Sequence, residues 1–137
     1  KIKDIVFSYD KALNFDGETS VYVQYTCARA FSVLSKAEGI DYKHAPVAEP
    51  CPQEFELLKL LGEFPDTVKA AAEKYEPSYI ARYAVDVAQK FNKFYIDCKI
   101  LQAESGVKEM RLRITEATLV TLKNALSLLG IGVPEKM

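Results

Sequence analysis

The sequence has little of what most enzymes use for catalysis. His44 is the only histidine, and no cysteine or carboxylate stands at metal-ligand spacing from it, so we interpret it as a solvated surface residue. No two of the six glycines are adjacent, and they cannot build a glycine-rich phosphate loop. No serine has a histidine partner, and no pair of carboxylates is obviously held for acid–base work. We therefore predict that this chain catalyses no reaction by itself and holds no metal ion.

Long apolar runs and an even set of cysteines are also missing. No apolar stretch approaches the roughly 20 residues that span a bilayer, and no signal-peptide pattern opens the chain, so we expect no membrane partner. The three cysteines, Cys27, Cys51 and Cys98, lie far apart among apolar neighbours. This arrangement favours reduced, buried thiols in a cytoplasmic protein over disulfide or metal use.

The chain has no excess of positive charge. Its net charge of −1 comes from 18 basic and 19 acidic residues, whereas nucleic-acid binding usually shows as a basic face or a high pI. We expect no DNA partner. Any RNA-binding surface must be local, with its basic residues concentrated on one side of the molecule.

Helical periodicity is what the chain does have. With 137 residues it is long enough for one domain with a hydrophobic core, and apolar residues recur every three or four positions. No strand pattern competes, residues 40–53 form a proline-rich connection, and residues 102–113 form a polar loop. The sequence predicts an all-α helical bundle that makes a single domain over residues 1–137. Helices are expected over residues 4–13, 20–37 (with Ser20 as N-cap), 53–61, 65–75, 77–103 and from 115 to the stop at Gly130.

Several short motifs follow one another in a fixed order along nearly the whole chain. They resemble segments of the C-terminal anticodon-binding (DALR) domain of arginyl-tRNA synthetases, which are class I aminoacyl-tRNA synthetases. The family patterns are FxGxTGPYxQYxxxR, EP…ARY, FNxFY and a Leu-Leu-Gly-Ile…Pro-Glu-Arg/Lys-Met ending. Here they appear as FDGET (15–19) with YVQY (22–25) and AR (28–29), EP (76–77) with ARY (81–83), FNKFY (91–95), and KN (123–124) with LLGI (128–131) and PEKM (134–137).

Two positions depart from the family patterns. Ser20 and Val21 stand where the family has Gly-Pro, so the helix start lacks the proline that would pre-set it, although Ser20 can compensate as a cap. Lys136 stands where arginine is common, which keeps the charge but loses a planar bidentate donor.

The resemblance implies which residues contact RNA. Unstacked anticodon bases are read by aromatic stacking and by hydrogen bonds to their edges, and phosphates are held by basic side chains. From the residues alone, a core role is the better interpretation of Tyr25 and Tyr95, Met137 is interpreted as a disordered end, and the basic residues are interpreted as solvated surface charges. The implied anticodon contacts are Asn14, Phe15, Asp16, Gly17, Glu18, Thr19, Tyr22, Tyr25, Tyr95 and Met137. The implied phosphate contacts are Arg29, Arg82, Lys93, Arg111, Arg113 and Lys136.

The resemblance also implies a longer parent enzyme. That enzyme, an arginine-tRNA ligase, would ligate arginine to tRNA(Arg) with ATP and magnesium in an upstream catalytic domain of the same chain. The His-x-Gly-His stretch and the Lys-Met-Ser-Lys-like loop that would mark such a domain are absent here, so residues 1–6 are interpreted as a truncation point and no cofactor is expected in this fragment. The alternative is a helical protein-interaction module without RNA binding.

Overall fold

The computed structural model describes residue 9 and residues 19–46 and 48–134. This part of the chain contains no strand, and the predicted all-α architecture is confirmed. The expected helix over residues 4–13 lies outside the described residues, apart from Tyr9. None of the helices of the described part combines the length and apolar character needed to cross a membrane. The helices are α1 (Ser20–Lys36), α2 (Pro52–Gly62), α3 (Phe64–Lys74), α4 (Ser78–Asp97) and α5 (Val107–Leu128).

Helices α4 and α5 form the centre of the bundle. Helix α5 packs against α1, α4 and α2, while α4 also contacts α1, α2 and α3. The core between them is built from fully buried side chains such as Phe91, Phe94, Leu122 and Leu126. Burying a side chain of this size contributes about 1.5–3 kcal/mol, so the apolar stripes of these helices hold the bundle together.

Helices α1, α2 and α3 begin and end within about one residue of their predicted bounds. The predicted N-cap of α1 is wrong. Thr19, and not Ser20, caps α1, because its side chain accepts a hydrogen bond of 3.4 Å from the backbone N–H of Tyr22. Ser20 is instead the first helical residue. The departure from Gly-Pro at residues 20–21 therefore leaves a capped helix start.

The boundary between the last two helices differs from the prediction. Helix α4 ends at Asp97, since Cys98 has extended backbone angles (φ −114°, ψ 116°), and its 20 residues measure about 30 Å. Helix α5 begins at Val107 and not near Thr115, so most of the expected loop over 102–113 is helical. Gly106 (φ 89°) precedes it, and the Glu109 carboxylate accepts a 2.5 Å hydrogen bond from the Gly106 N–H, which satisfies that donor at the start of the helix.

A buried ion pair joins α2 to α5. Arg111 donates from Nε to the Glu54 carboxylate at 2.6 Å and from Nη1 to the Lys99 carbonyl at 2.6 Å, and Glu54 is only 1% exposed. Burial works against ionisation of Glu54, but hydrogen bonds from Arg111 and from the Cys51 N–H hold its pKa below the ordinary value. The Arg111 guanidinium therefore helps to keep the Glu54 carboxylate ionised despite its burial.

The connection between α1 and α2 is fixed to α5 by a second arginine. Arg113 donates from Nε to the Tyr42 carbonyl at 2.6 Å and from Nη2 to the Ala45 carbonyl at 2.5 Å. Residues 40–46 and 48–51 thus run along the surface of the bundle, as expected for a proline-rich connection, but two of their carbonyls accept hydrogen bonds from α5.

Gly130 ends α5, as the sequence predicts. It has φ +72°, its N–H donates to the Ser127 carbonyl at 3.0 Å, and the N–H of Ile131 donates to the Leu126 carbonyl at 2.9 Å. This pair of hydrogen bonds is a Schellman motif. A Cβ at Gly130 would meet nothing within 4 Å, so the requirement for glycine comes from backbone conformation alone.

We expect Gly130→Ala to lower the free energy of unfolding by about 1 kcal/mol, because a Cβ disfavours the left-handed backbone conformation. Urea denaturation of the chain measures the change. Gly62→Ala is the matched control, since Gly62 lies at the end of α2, has no positive φ and also has open space around it. That control should be neutral or stabilising; equal losses for both variants would contradict the assignment.

We expect Arg111→Met to lower the free energy of unfolding by about 3 kcal/mol at pH 7, because it leaves the Glu54 charge buried and unpaired. The native pair lowers the pKa of Glu54, so its contribution is complete above the unfolded carboxyl pKa of about 4.3 and is lost as pH falls through the folded value. The difference between variant and wild type in urea denaturation should therefore shrink in acid. Arg82→Met, at an exposed position of α4, should change stability by less than about 0.5 kcal/mol.

Candidate nucleic-acid interface

A buried asparagine joins α1 to α4. The Asn92 side-chain amide donates hydrogen bonds of 2.9 Å to the Tyr22 hydroxyl and 2.9 Å to the Thr26 hydroxyl. Its carbonyl oxygen accepts one of 2.6 Å from Nη1 of Arg29. All three partners lie on α1, so this one amide fixes how α1 sits against α4 and where Arg29 can place its guanidinium.

Arg29 lies between two exposed tyrosine rings. Its guanidinium carbon is 4.9 Å from the ring centroid of Tyr25 and 4.9 Å from that of Tyr95, and Nη2 lies 3.3 Å from the Tyr25 hydroxyl, to which it donates. Tyr25 is 49% exposed and Tyr95 40%. We call these three residues the Tyr-Arg-Tyr cluster. It brings together three side chains that the sequence singled out, from two different helices.

The buried side of the cluster rests on the core. The ring of Phe91, which is fully buried, lies 6.5 Å from the ring of Tyr95 between centroids. Cation–π contacts such as those of Arg29 contribute about 0.5–1 kcal/mol each at exposed sites. The two tyrosine rings are therefore held in place before any ligand arrives, with part of each ring open to solvent.

A groove of about 820 Å³ extends from the Tyr-Arg-Tyr cluster along α1 and the end of α4. Besides Arg29, its lining includes two exposed lysines, Lys36 and Lys99, and it includes neither Asp nor Glu among the described residues. Apolar groups such as Phe31 and Ile100 also line it. The groove is therefore locally basic although the whole chain carries a net charge of −1, and it suits an anionic ligand with flat apolar parts.

Sequence reasoning missed both lysines. A signal for Lys36 was available, because it lies seven residues after Arg29 and thus on the same face of α1. A signal for Lys99 was available too, because it lies four residues after Tyr95 and both fall within the predicted helix over 77–103. In the structure α4 ends at Asp97, and Lys99 lines the groove from the segment that follows.

Two of the expected phosphate contacts have structural partners. The guanidinium groups of Arg111 and Arg113 bind the Glu54 carboxylate and three backbone carbonyls, as described above. Neither lines the groove. Each guanidinium keeps N–H groups that these bonds do not use, so a role in phosphate binding stays a prediction, but neither residue is assigned to the groove.

Two other expected phosphate contacts face away from the cluster. Lys93 is exposed and lies two residues from Tyr95 on α4, so the two side chains leave opposite sides of the helix. Arg82 is also exposed and lies thirteen residues before Tyr95, which places it about 20 Å away along the helix axis. Neither can reach a phosphate next to a base stacked on Tyr95.

Tyr22 and Thr19 hold structural positions beside the cluster. Tyr22 is half-buried against the core, and its hydroxyl accepts from Asn92, which leaves its own hydrogen for another acceptor. Thr19 is occupied as the cap of α1. The remaining expected contacts, Asn14, Phe15, Asp16, Gly17, Glu18, Lys136 and Met137, lie outside the described residues.

The described part of the C-terminal tail runs beside α1. Nε2 of Gln24 donates a 2.7 Å hydrogen bond to the Gly132 carbonyl, and Ile131 and Val133 pack against the core. Gln24 directly precedes Tyr25, so the tail is hydrogen-bonded to α1 at the residue next to the Tyr-Arg-Tyr cluster.

His44 and the cysteines lie outside the groove, except for Cys98. His44 is exposed, as expected, with Nδ1 3.0 Å from a carboxylate oxygen of Asp41, and the pKa of Asp41 is lowered mainly by that hydrogen bond. Cys27 and Cys98 are buried and Cys51 is half-buried, with all three thiols free. Burial raises the pKa of Cys27 to about 11, which is typical of an unreactive core thiol.

Comparison with known proteins identifies the family to which this chain is similar. A family model described as the DALR anticodon binding domain matches residues 23–137. An arginine–tRNA ligase from Halothermothrix orenii is 45% identical over 141 residues, covering 100% of this chain and 24% of that protein. The Thermus thermophilus arginyl-tRNA synthetase structure has a TM-score of 0.90 and 38% identity, covering 98% of this chain and 24% of that one. The Plasmodium falciparum arginyl-tRNA synthetase structure has a TM-score of 0.85 and 28% identity, covering 98% of this chain and 24% of that one.

The matched range begins within α1 and includes α2 to α5, so it contains the Tyr-Arg-Tyr cluster and the groove. The chain spans 24% of the length of these three relatives. The structural similarity and the sequence similarity to these relatives both extend over nearly the whole chain. This chain belongs to the family of DALR anticodon-binding domains.

Proposed function

We propose that residues 1–137 form the single C-terminal anticodon-binding domain of an arginine–tRNA ligase, and that the groove at the Tyr-Arg-Tyr cluster binds the anticodon region of tRNA(Arg). The parent enzyme would ligate arginine to tRNA(Arg) with ATP and magnesium in an upstream catalytic domain of the same chain. The names of the relatives support this proposal, as does their greater length. As part of a translation enzyme, the protein would act in the cytoplasm.

The observation that carries the proposal is the pairing of two half-exposed tyrosine rings with a basic groove whose described lining contains no carboxylate. Proteins that read single-stranded RNA loops stack unpaired bases on aromatic rings and hold the adjoining phosphates with basic side chains. Stacking on one ring is worth about 1–3 kcal/mol per base. The cluster and the groove supply both kinds of contact on one surface.

The tyrosines and the basic residues of the groove each have a role in this proposal. Tyr25 and Tyr95 stack on bases, and Arg29, already held by Asn92, keeps the two rings apart and offers its remaining N–H groups to a base edge or a phosphate. Lys36 and Lys99 hold phosphates along the groove. Tyr22 can donate its hydroxyl hydrogen from the edge of the site.

The expected contacts outside the described residues stay in the proposal. The segment 14–18 immediately precedes the cap of α1, and Lys136 and Met137 continue the tail that Gln24 fastens to α1. Both segments therefore join the described structure close to the start of α1, within a few residues of Tyr25. Arg82 and Lys93 could contact only a part of the RNA distant from the stacked bases.

Titration of the 137-residue chain with tRNA(Arg), and with tRNA(Arg) whose anticodon has been substituted, tests recognition directly at a stated low salt concentration. We expect tighter binding to the natural anticodon, because stacking and base-edge contacts are made only with the correct loop. Equal affinities for the two RNAs would overturn anticodon recognition, and negligible binding to both would favour a protein-interaction module.

We expect Tyr95→Ala in a full-length enzyme that carries this chain to lower kcat/KM for tRNA(Arg) about tenfold to a hundredfold, the equivalent of one lost stacking contact. Tyr95→Phe should retain most of the activity, because it keeps the ring. Aminoacylation kinetics measure both. Tyr75→Ala is the matched control: Tyr75 is 92% exposed but precedes α4, whereas Tyr95 lies near its end. Similar losses at Tyr75 and Tyr95 would contradict a stacking role.

We expect Lys36→Ala and Lys99→Ala each to reduce the slope of log affinity against log salt by about 1, since each variant removes one phosphate contact. Filter binding or fluorescence titration of tRNA(Arg) over a salt series gives the slope. Lys59→Ala removes an equal charge at an exposed position of α2 that does not line the groove, and it should leave the slope unchanged. A slope reduced in Lys59→Ala but unchanged in Lys36→Ala and Lys99→Ala would contradict phosphate binding in the groove.

A further inference from the structure

Two thiols and a carboxylate converge where the start of α2 meets the end of α4. Cys51 precedes α2, Glu54 lies in its first turn, and Cys98 directly follows α4. One potential ligand atom from each of the three lies within 4.8 Å of the others. Glu54 is 1% exposed and Cys98 7% exposed, while Cys51 is half-buried and gives access from solvent.

The Glu54 carboxylate is already oriented. One oxygen accepts from Arg111 Nε at 2.6 Å, and the other accepts from the Cys51 backbone N–H at 2.6 Å. An ionised carboxylate has about four lone-pair sites, so each oxygen keeps one for another partner. Outer hydrogen bonds of this kind orient the carboxylate ligands of metal sites. The hydrogen bond from the Cys51 N–H and the ion pair with Arg111 explain the position of Glu54, but they do not require two thiols beside it.

The two thiols have only weak competing contacts. Cys51 Sγ donates to Oε1 of Gln53 at 3.4 Å, which is a weak bond for a thiol. Burial raises the pKa of Cys98, and the positive charge of Arg111 opposes that rise. A bound cation would displace both thiol protons to solvent, as thiolate ligation requires.

We propose that Cys51, Glu54 and Cys98 form a binding site for a thiophilic divalent cation such as Zn²⁺, with two thiolate sulfurs, one carboxylate oxygen and a fourth position open to water. Such mixed sulfur and oxygen ligands select zinc-like ions over Mg²⁺ and Ca²⁺, which prefer oxygen alone. The three negative ligand charges are balanced by the cation together with Arg111, whose guanidinium stays on the far side of the Glu54 carboxylate.

A cation held here would join two elements next to the groove. Cys98 lines the groove and follows Tyr95 by three residues, while Cys51 ends the connection that Arg113 fastens to α5. The site would therefore clamp the end of α4 that carries Tyr95 against the start of α2. Its existence does not depend on RNA binding, so it can be tested separately.

Titration of the reduced 137-residue chain with Co²⁺, under anaerobic conditions, tests the proposal. Thiolate-bound Co²⁺ has a charge-transfer band in the near ultraviolet and ligand-field bands in the visible that report tetrahedral geometry. We expect both to saturate at one equivalent and to disappear when Zn²⁺ displaces Co²⁺. Cys51→Ser should abolish the charge-transfer band or weaken it severely, whereas Cys27→Ala, the matched control at a cysteine outside the cluster, should leave it unchanged.

Loss of signal in Cys51→Ser cannot be ascribed to misfolding if the variant keeps its helical circular dichroism, and serine is a favoured N-cap residue for α2. We also expect Zn²⁺ at saturating concentration to raise the melting temperature by about 5 °C in wild type and in Cys27→Ala, with no rise in Cys51→Ser or with Mg²⁺. A missing charge-transfer band in the reduced wild-type chain would overturn the proposal. So would a band that survives in Cys51→Ser but is lost in Cys27→Ala.

Discussion

The buried amide of Asn92 is the contact on which the candidate interface depends. A buried amide without partners costs about 1–3 kcal/mol, and Asn92 finds its partners on α1, in Tyr22, Thr26 and Arg29. Only one register of α1 against α4 satisfies all three. That register also sets Arg29 between the rings of Tyr25 and Tyr95, so a packing contact and a recognition surface share one hydrogen-bond network.

Acidic ion pairs and the basic groove occupy different parts of this fold. Acidic side chains are paired away from the groove, as in the Glu54–Arg111 pair inside the bundle and the Glu116–Lys43 and Glu56–Lys90 pairs on its surface. The groove keeps basic groups without carboxylates among its described residues. A nearly neutral chain can therefore present a local anion-binding surface, and bulk composition does not reveal it because it averages over both regions.

The error at the start of α5 has a physical origin. Residues 102–113 look like a polar loop, yet most of them form the first turns of α5, because Glu109 accepts from the N–H at the helix start and Arg111 and Arg113 bond groups elsewhere in the bundle. Neither arginine lines the groove. Periodicity counts polar residues as solvent-facing, and it cannot detect a polar side chain whose partner lies many residues away.

The sequence by itself determined the all-α class, the position of α1 to α3, the glycine stop of α5 and, through its motifs, the anticodon-binding family. Periodicity and helix-end signals suffice for these because they depend on neighbouring residues. Only the tertiary structure decided that Tyr25, Arg29 and Tyr95 form one cluster and that Cys51 and Cys98 meet beside Glu54. These groupings cross helices, and their geometry is set by how α1, α2 and α4 pack, which no local pattern encodes.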